Sequence, residues 1–371
     1  MKILGIDTSC DDTCISLLEV KSQNSKVKSF EILSDVVSSQ VKIHAKYGGV
    51  YPFLAKREHI KNLPIAFKKA TKGINLKEID LIGVTVGPGL EPCLWQGVNF
   101  AQKIAKKIKK PIVTVNHIEG HILANFIGLN FQLTISNFQN IFPAVCLVVS
   151  GGHTQLILME KIGRYKLIGE TRDDAAGECF DKVARILGLG YPGGPVIAAE
   201  AAEAAKFSIF NFQFSIKLPR PMMYTKDYDF SFSGLKTAVL YDFKKRLPKI
   251  RKSKTYIQAT CAETQQAIID VLIHKTLRAA KNYRVKSVIL GGGVTANNEL
   301  RKQFKEKIKK DLPNIQYLTP NIHFCTDNAA MVAVTAYFNR EKATKNWQKI
   351  EVNANLKIGD EVYPLRGLPS S

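Results

Sequence analysis

No run of apolar residues in this 371-residue chain reaches the ~20 that a membrane-spanning helix needs, so no membrane partner is expected. The stretch Met1–Asp7 has no long apolar core and no small-residue cleavage site, so export by a signal peptide is not expected. Cysteine is scarce and odd in number, seven, and no two form a C-x-x-C pair. That argues against a zinc ribbon or a disulfide framework, and free thiols fit a reducing cytoplasm. A Walker A motif is missing, since Gly234-Leu235-Lys236-Thr237 lacks the adjacent Gly-Lys. Gly188–Gly193 matches G-x-G-x-x-G in form but follows a predicted helix instead of a strand, which rejects a dinucleotide-binding reading. Acidic residues are also in short supply, 32 against 53 Lys and Arg, for a net charge of +21. A chain this basic is a candidate partner for a polyanion, nucleic acid foremost. Its lysine-rich stretches, 103–110, 244–254 and 301–310, are individually ordinary solvated faces, and only their sum is suggestive.

What is present is globular: 45% hydrophobic and 23% charged residues, over a length suited to two lobes. Lys2–Ile6 reads as a strand, Asp7–Thr13 as a polar turn, and Cys14–Val20 as a return strand. The same unit recurs with Ala144–Val149, the turn Ser150–Thr154, and Gln155–Met159, which suggests an internal duplication. Between and after these units, strands (Asp80–Val86, Pro111–Val115, Val285–Leu290) alternate with helices (His59–Lys72, Gly97–Lys109, Phe180–Leu187, Lys254–Lys281). That alternation predicts α/β lobes. Residues 130–142 read as a connection, and Phe210, Phe212 and Phe214 alternate as in a strand.

The sharpest local feature is His117-Ile118-Glu119-Gly120-His121, directly after a strand. On a helix the two histidines lie one turn apart on one face, which suits one metal ion. Glu119 sits two residues after the first histidine, roughly 200° round the helix, so it cannot serve as the base of a zinc protease. Asp327, opening a later helix, is the candidate third ligand, against the plainer reading of a helix cap. The turns at Ser150–Thr154 and Gly291–Gly293 offer backbone N–H groups that can hold a phosphate or an oxyanion, or are simply tight turns. Asp7, Asp11 and Asp12 place three carboxylates in one loop, able to bind a cation or supply a general base, with Asx-turn chemistry as the alternative.

Taken in order, the runs Gly5–Thr13, Gly87–Leu90, His117–His121, Val149–Thr154, Asp173–Lys182, Tyr191–Pro195, Phe230–Thr237, Gly292–Asn297 and Cys325–Asn328 resemble the TsaD family in its bacterial form. These are tRNA adenosine threonylcarbamoyltransferases, and the resemblance covers about residues 2–335. It implies a two-lobed actin-like, Hsp70-like (ASKHA) α/β fold, with duplicated lobes around a central cleft. Residues 1–118 would form the first lobe, completed by a helix at about 330–350; 119–329 would form the second, with 351–371 as a tail. It implies transfer of a threonylcarbamoyl group from threonylcarbamoyl-AMP to the exocyclic amine of the adenosine 3′ to the anticodon, in tRNAs reading codons that start with adenine. One divalent metal ion, iron (Fe2+) or zinc, maps onto His117, His121 and Asp327. Substrate contacts map onto Val149, Ser150, Gly151, Gly152, His153, Asp181, Gly194 and Asn297. Asp11 and Asp12 are the candidate proton acceptors. Implied partners are tRNA, an inactive homologous subunit, a small ATPase and an enzyme that makes the adenylate, all cytoplasmic.

Three departures stand out. The family usually has Glu where this chain has Asp12, often an acid where Ala198 stands, and in archaeal members a metal-coordinating Tyr where Val148 stands. Rival readings are an actin-fold ATPase or sugar kinase, which has no need of the His pair, and a non-catalytic scaffold, which would not need to keep it.

Overall fold

The computed structural model describes residues 1–23, 27–127, 140–206 and 216–360. The connection read at 130–142 lies mostly outside these residues, and the alternating phenylalanines at 210–214 lie wholly outside them.

Two five-stranded sheets carry the same plan. In the first, β1 (Lys2–Asp7), β2 (Asp12–Gln23) and β3 (Val27–Ser39) form an antiparallel meander. Then β4 (Ile79–Gly87) and β5 (Ile112–Asn116) add in parallel on the other side of β1. The second sheet repeats this with β6 (Ala144–Val149), β7 (Thr154–Lys161) and β8 (Arg164–Glu170) as the meander. Its parallel strands are β9 (Ser287–Gly291) and β10 (Gln316–Leu318). The strand orders β3-β2-β1-β4-β5 and β8-β7-β6-β9-β10 match element for element. The fold is therefore the duplicated, two-lobed α/β architecture expected above.

The parallel additions need crossovers, and helices supply them. Helices Pro52–Ala70 and Glu91–Ile108 pack on the outer face of the first sheet, burying Leu63, Ala66, Val98 and Ala101 against Leu4, Ile6 and Val84. Helix Lys254–Asn282 does the same for the second sheet, with Ile268, Val271 and Leu272 in its core. A third core lies between the sheets. It joins Ile3 and Val113 of one sheet to Cys146 and Ile289 of the other, through the helices His117–Leu123 and Ala329–Phe338.

The helix Ala329–Phe338 follows the second sheet in sequence but packs on β1, β2 and β4 of the first. Two glycines explain the close approach. Gly5 of β1 and Gly83 of β4 are paired in register. A Cβ on Gly83 would lie 2.7 Å from the Ala336 Cβ, and one on Gly5 would meet the backbone at Ala329 and Ala333. The helix answers with alanines at those positions. Its start is thereby fixed over the carboxyl end of β1, where Asp7 stands. After it, residues 344–358 fold back on the same sheet: Thr344 bridges Ile112, and the Asn353 N–H donates to the Val86 carbonyl at 2.8 Å.

Candidate metal centre and acidic loop

The helix His117–Leu123 begins where β5 ends. Asn116 caps it, its side-chain oxygen accepting from the N–H of Ile118 at 2.9 Å and of Glu119 at 3.2 Å. Ile118, Ile122 and Leu123 face the inter-sheet core, which leaves His117 and His121 on the other face. Their rings stand edge to face, 4.6 Å between centroids.

Asp327 comes from the turn before Ala329–Phe338. It does not cap that helix: Asn328 does, accepting from the Met331 N–H at 2.9 Å. The Asp327 carboxylate instead meets both rings, with Oδ1 3.5 Å from His117 Nε2 and 3.3 Å from His121 Nε2. One donor atom from each residue lies within 4.8 Å of the others, so the three form a cluster that could hold a metal ion. Both nitrogens of His121 and Nδ1 of His117 are buried without a hydrogen-bond partner. Buried imidazoles cost free energy in that state, and ligation of a cation removes the cost. Two nitrogens and one carboxylate oxygen suit zinc or iron(II). Asp7 stands behind, its Oδ2 3.6 Å from His117 Nδ1, where a carboxylate can orient a ligating ring.

Electrostatics follow from burial and charge. Burial would lower His117, but the Asp327 and Asp7 carboxylates overcome it and hold its pKa at about 9. Burial pushes Asp327 up, and the two imidazoles override that, leaving it well below the usual carboxylate range. Burial lowers His121. It also takes His153 down to about 4, with His117 and His121 adding, so His153 is neutral near pH 7 and within electrostatic reach of the pair.

Asp11 lies in the loop between β1 and β2, and Asp12 is the first residue of β2, paired with Ser39 of β3. Burial raises both, Asp12 to about 7, with the nearby Asp327 charge adding in each case. Asp11 Oδ2 and Asp12 Oδ1 are buried without a partner. The turn Ser150–His153 is closed by the Ser150 N–H on the His153 carbonyl (2.8 Å) and the His153 N–H on Ser150 Oγ (3.1 Å). Gly151 and Gly152 are exposed with open space where a Cβ would be. Val149 is buried at the end of β6. Asp181 accepts from the Gly193 N–H at 2.6 Å, fixing the start of helix Gly193–Lys206, and Gly194 beside it has open space. Asn297 caps helix Asn298–Asp311 and donates to Gln265 at 2.7 Å, so its amide is already engaged on both sides.

Glu119 is spent elsewhere. It accepts from the Tyr165 hydroxyl at 2.8 Å and the Asn339 amide at 3.1 Å. The sequence offers Asp7 only as one carboxylate of an acidic run, with no signal that ties it to His117. Burial raises the Tyr191 hydroxyl, with the Asp11 and Asp181 carboxylates adding.

A sequence model of a family described as tRNA N6-adenosine threonylcarbamoyltransferase, TsaD, matches residues 31–334. A protein of that name from Thermosipho africanus is 44% identical over 360 residues, covering 96% of this chain and 100% of the other. Another from Thermosipho melanesiensis is 48% identical over 339 residues, covering 91% and 94%. Among solved structures, full-length HypF in its phosphate- and nucleotide-bound form covers 92% of this chain and 55% of that chain. Its TM-score of 0.49 at 12% identity is too distant to bear on the site.

Proposed function

The chain belongs to the tRNA N6-adenosine threonylcarbamoyltransferase (TsaD) family and transfers a threonylcarbamoyl group to an adenosine of tRNA; from that premise we propose how it does so. The donor is threonylcarbamoyl-AMP, and the acceptor is the exocyclic amine of the adenosine 3′ to the anticodon in tRNAs reading codons that start with adenine. His117, His121 and Asp327 hold one divalent ion, iron or zinc. The observation that carries this reading is their convergence, with unpartnered ring nitrogens, beside the acidic loop. When bound, such an ion supplies Lewis-acid polarisation and a template for the donor's oxygens.

The amine attacks the carbamoyl carbonyl, the new N–C bond forms, and the bond to AMP breaks with AMP leaving as the anion. An aromatic exocyclic amine is a poor nucleophile, so orientation supplies much of the rate. The N–H groups of Gly151 and Gly152 stabilise the developing oxyanion. Their exposure and open surroundings support that role. Asp12 accepts the amine proton, with Asp11 as the alternative. A carboxylate raised to about 7 is matched to proton transfer near neutral pH. Val149, Ser150, His153, Asp181, Gly194 and Asn297 frame the adenylate. A ligand contact to the Asn297 amide would have to displace Gln265 or the cap.

The lobes divide as 1–118 and 119–329, with 330–350 returning to the first, and the packing of Ala329–Phe338 on β1 and β4 supports that return. Work in the cytoplasm alongside an inactive homologous subunit and a small ATPase belongs to the same reading. Single-turnover incubation with threonylcarbamoyl-AMP, tRNA and iron or zinc, read by nucleoside mass spectrometry, tests it. Threonylcarbamoyladenosine next to the anticodon is expected. Its absence with the partner subunits and either metal supplied would overturn the donor assignment.

A further inference from the structure

We propose that Tyr47 and Tyr51 form a stacking platform for an unpaired base of the tRNA loop beside the target adenosine. This rests on the reading that the anticodon loop is the substrate. The two rings stack on one another, 6.0 Å between centroids and 27° between planes. Both are largely in solvent, 64% and 55% exposed, an uncommon place for two adjacent large aromatics unless something covers them.

Their position ties them to the site. The Gln40 N–H donates to the Asp11 carbonyl at 3.2 Å, and the Gln40 side chain pairs with His44 Nε2 at 3.1 Å. The Tyr51 N–H then donates to His44 Nδ1 at 3.2 Å. A short chain of hydrogen bonds therefore links the platform to the acidic loop. Between the two tyrosines, the Gly48 carbonyl accepts from the Arg185 guanidinium of the second half of the chain, so the platform sits where the halves meet. Charge fits a polyanion: residues 41–57 contain Lys42, Lys46, Lys56 and Arg57 and no Asp or Glu. Exposed aromatic faces among cations are how proteins hold unpaired bases. A base stacked here would keep its loop open and its neighbour free to enter the cleft.

The probe is an anticodon stem–loop RNA with 2-aminopurine next to the target adenosine, titrated into the full chain loaded with metal. Tyr47→Ala with Tyr51→Ala should weaken binding about tenfold or more and leave the salt dependence unchanged. Tyr47→Phe with Tyr51→Phe should restore it, because the stacking faces remain. Unchanged affinity in the alanine variant overturns the proposal. So does normal RNA affinity with lost co-elution of a partner subunit, which would make the patch a protein interface. Circular dichroism checks the fold; if the double variant fails it, Tyr47→Ala alone decides. Wild type that binds but transfers nothing would fault the functional reading, whereas full transfer with tyrosine-insensitive binding would fault only the platform.

Discussion

Replacing Asp12 by Asn should make the protein more stable and a worse enzyme, and both effects should depend on pH. Burial raises this carboxyl from 3.8 to about 7, against the opposing hydrogen bond from Ser39. Between those two values the folded chain binds a proton that the unfolded chain has lost. Stability conferred by the protonated group is therefore complete below about 3.8, falls as pH rises, and is gone above about 7. At ~1.4 kcal/mol per pH unit, that displacement sets a ceiling of about 4 kcal/mol. Asp12 is only partly buried, so solvent screening brings the expected difference to about 2 kcal/mol. Asn cannot ionise and escapes the penalty. Urea unfolding at about pH 5 and about pH 8 reads it as a stability gain for the variant that grows between the two. Single-turnover transfer reads the other half. The wild-type rate should climb tenfold per unit below about pH 7 and then level, and Asp12→Asn should lose that limb along with at least tenfold in rate. A variant with the same stability difference at both pH values, and the wild-type limb intact, would refute both the buried-charge argument and the base assignment.

Other consequences follow from the same geometry. Asp11→Asn should lower transfer at least tenfold, about 1.4 kcal/mol of barrier or more, while Asp12→Glu is tolerated; single-turnover rates at saturating donor decide. His117→Ala with His121→Ala should strip bound metal and transfer activity, with elemental analysis as the readout and circular dichroism as the folding control; retained metal would remove the cluster from consideration. Gly177→Ala should slow transfer without the ~1 kcal/mol gain that Gly-to-Ala brings in an open helix, because the new Cβ would sit 2.5 Å from the Ser150 carbonyl and 2.8 Å from Gly151. Affinity for tRNA should fall steeply with salt, and a flat dependence would mark the +21 charge as mere solvation.

The parts of the fold that were legible in the sequence are those whose signal is local. The hairpins β1–β2 and β6–β7 are short apolar runs around polar turns, and the His117–His121 spacing states its own helical geometry. The third meander strands escaped notice. In β3, Leu17 pairs with Ser34 and Leu18 with Ile32, so Leu33 is an extra residue that breaks the alternation a strand would otherwise display. β10 is only three residues long. The helix expected from His59 begins at Pro52; its first turn, Pro52-Phe53-Leu54-Ala55, is apolar all round and leaves Phe53 exposed, so it shows no one-sided periodicity.

The candidate site was legible as residue types and illegible as an arrangement. Asp7 and Asp327 are each ordinary where they stand in the sequence, and the His117–His121 pair does not point to either. What joins them is that β1 and β5 end at the same edge of one sheet, and that a helix arriving from the far end of the chain lies down on Gly5 and Gly83. A larger side chain at either glycine would lift that helix and carry Asp327 away from the two rings. The position of Asp327 is thus set by packing on the opposite end of the chain, and only the three-dimensional register shows why a carboxylate at 327 faces the imidazoles at 117 and 121. The same dependence separates Asp327 from a helix cap. Asn328 already satisfies the Met331 N–H, which frees the preceding carboxylate to point at the histidines. Spacing alone had left those two roles open.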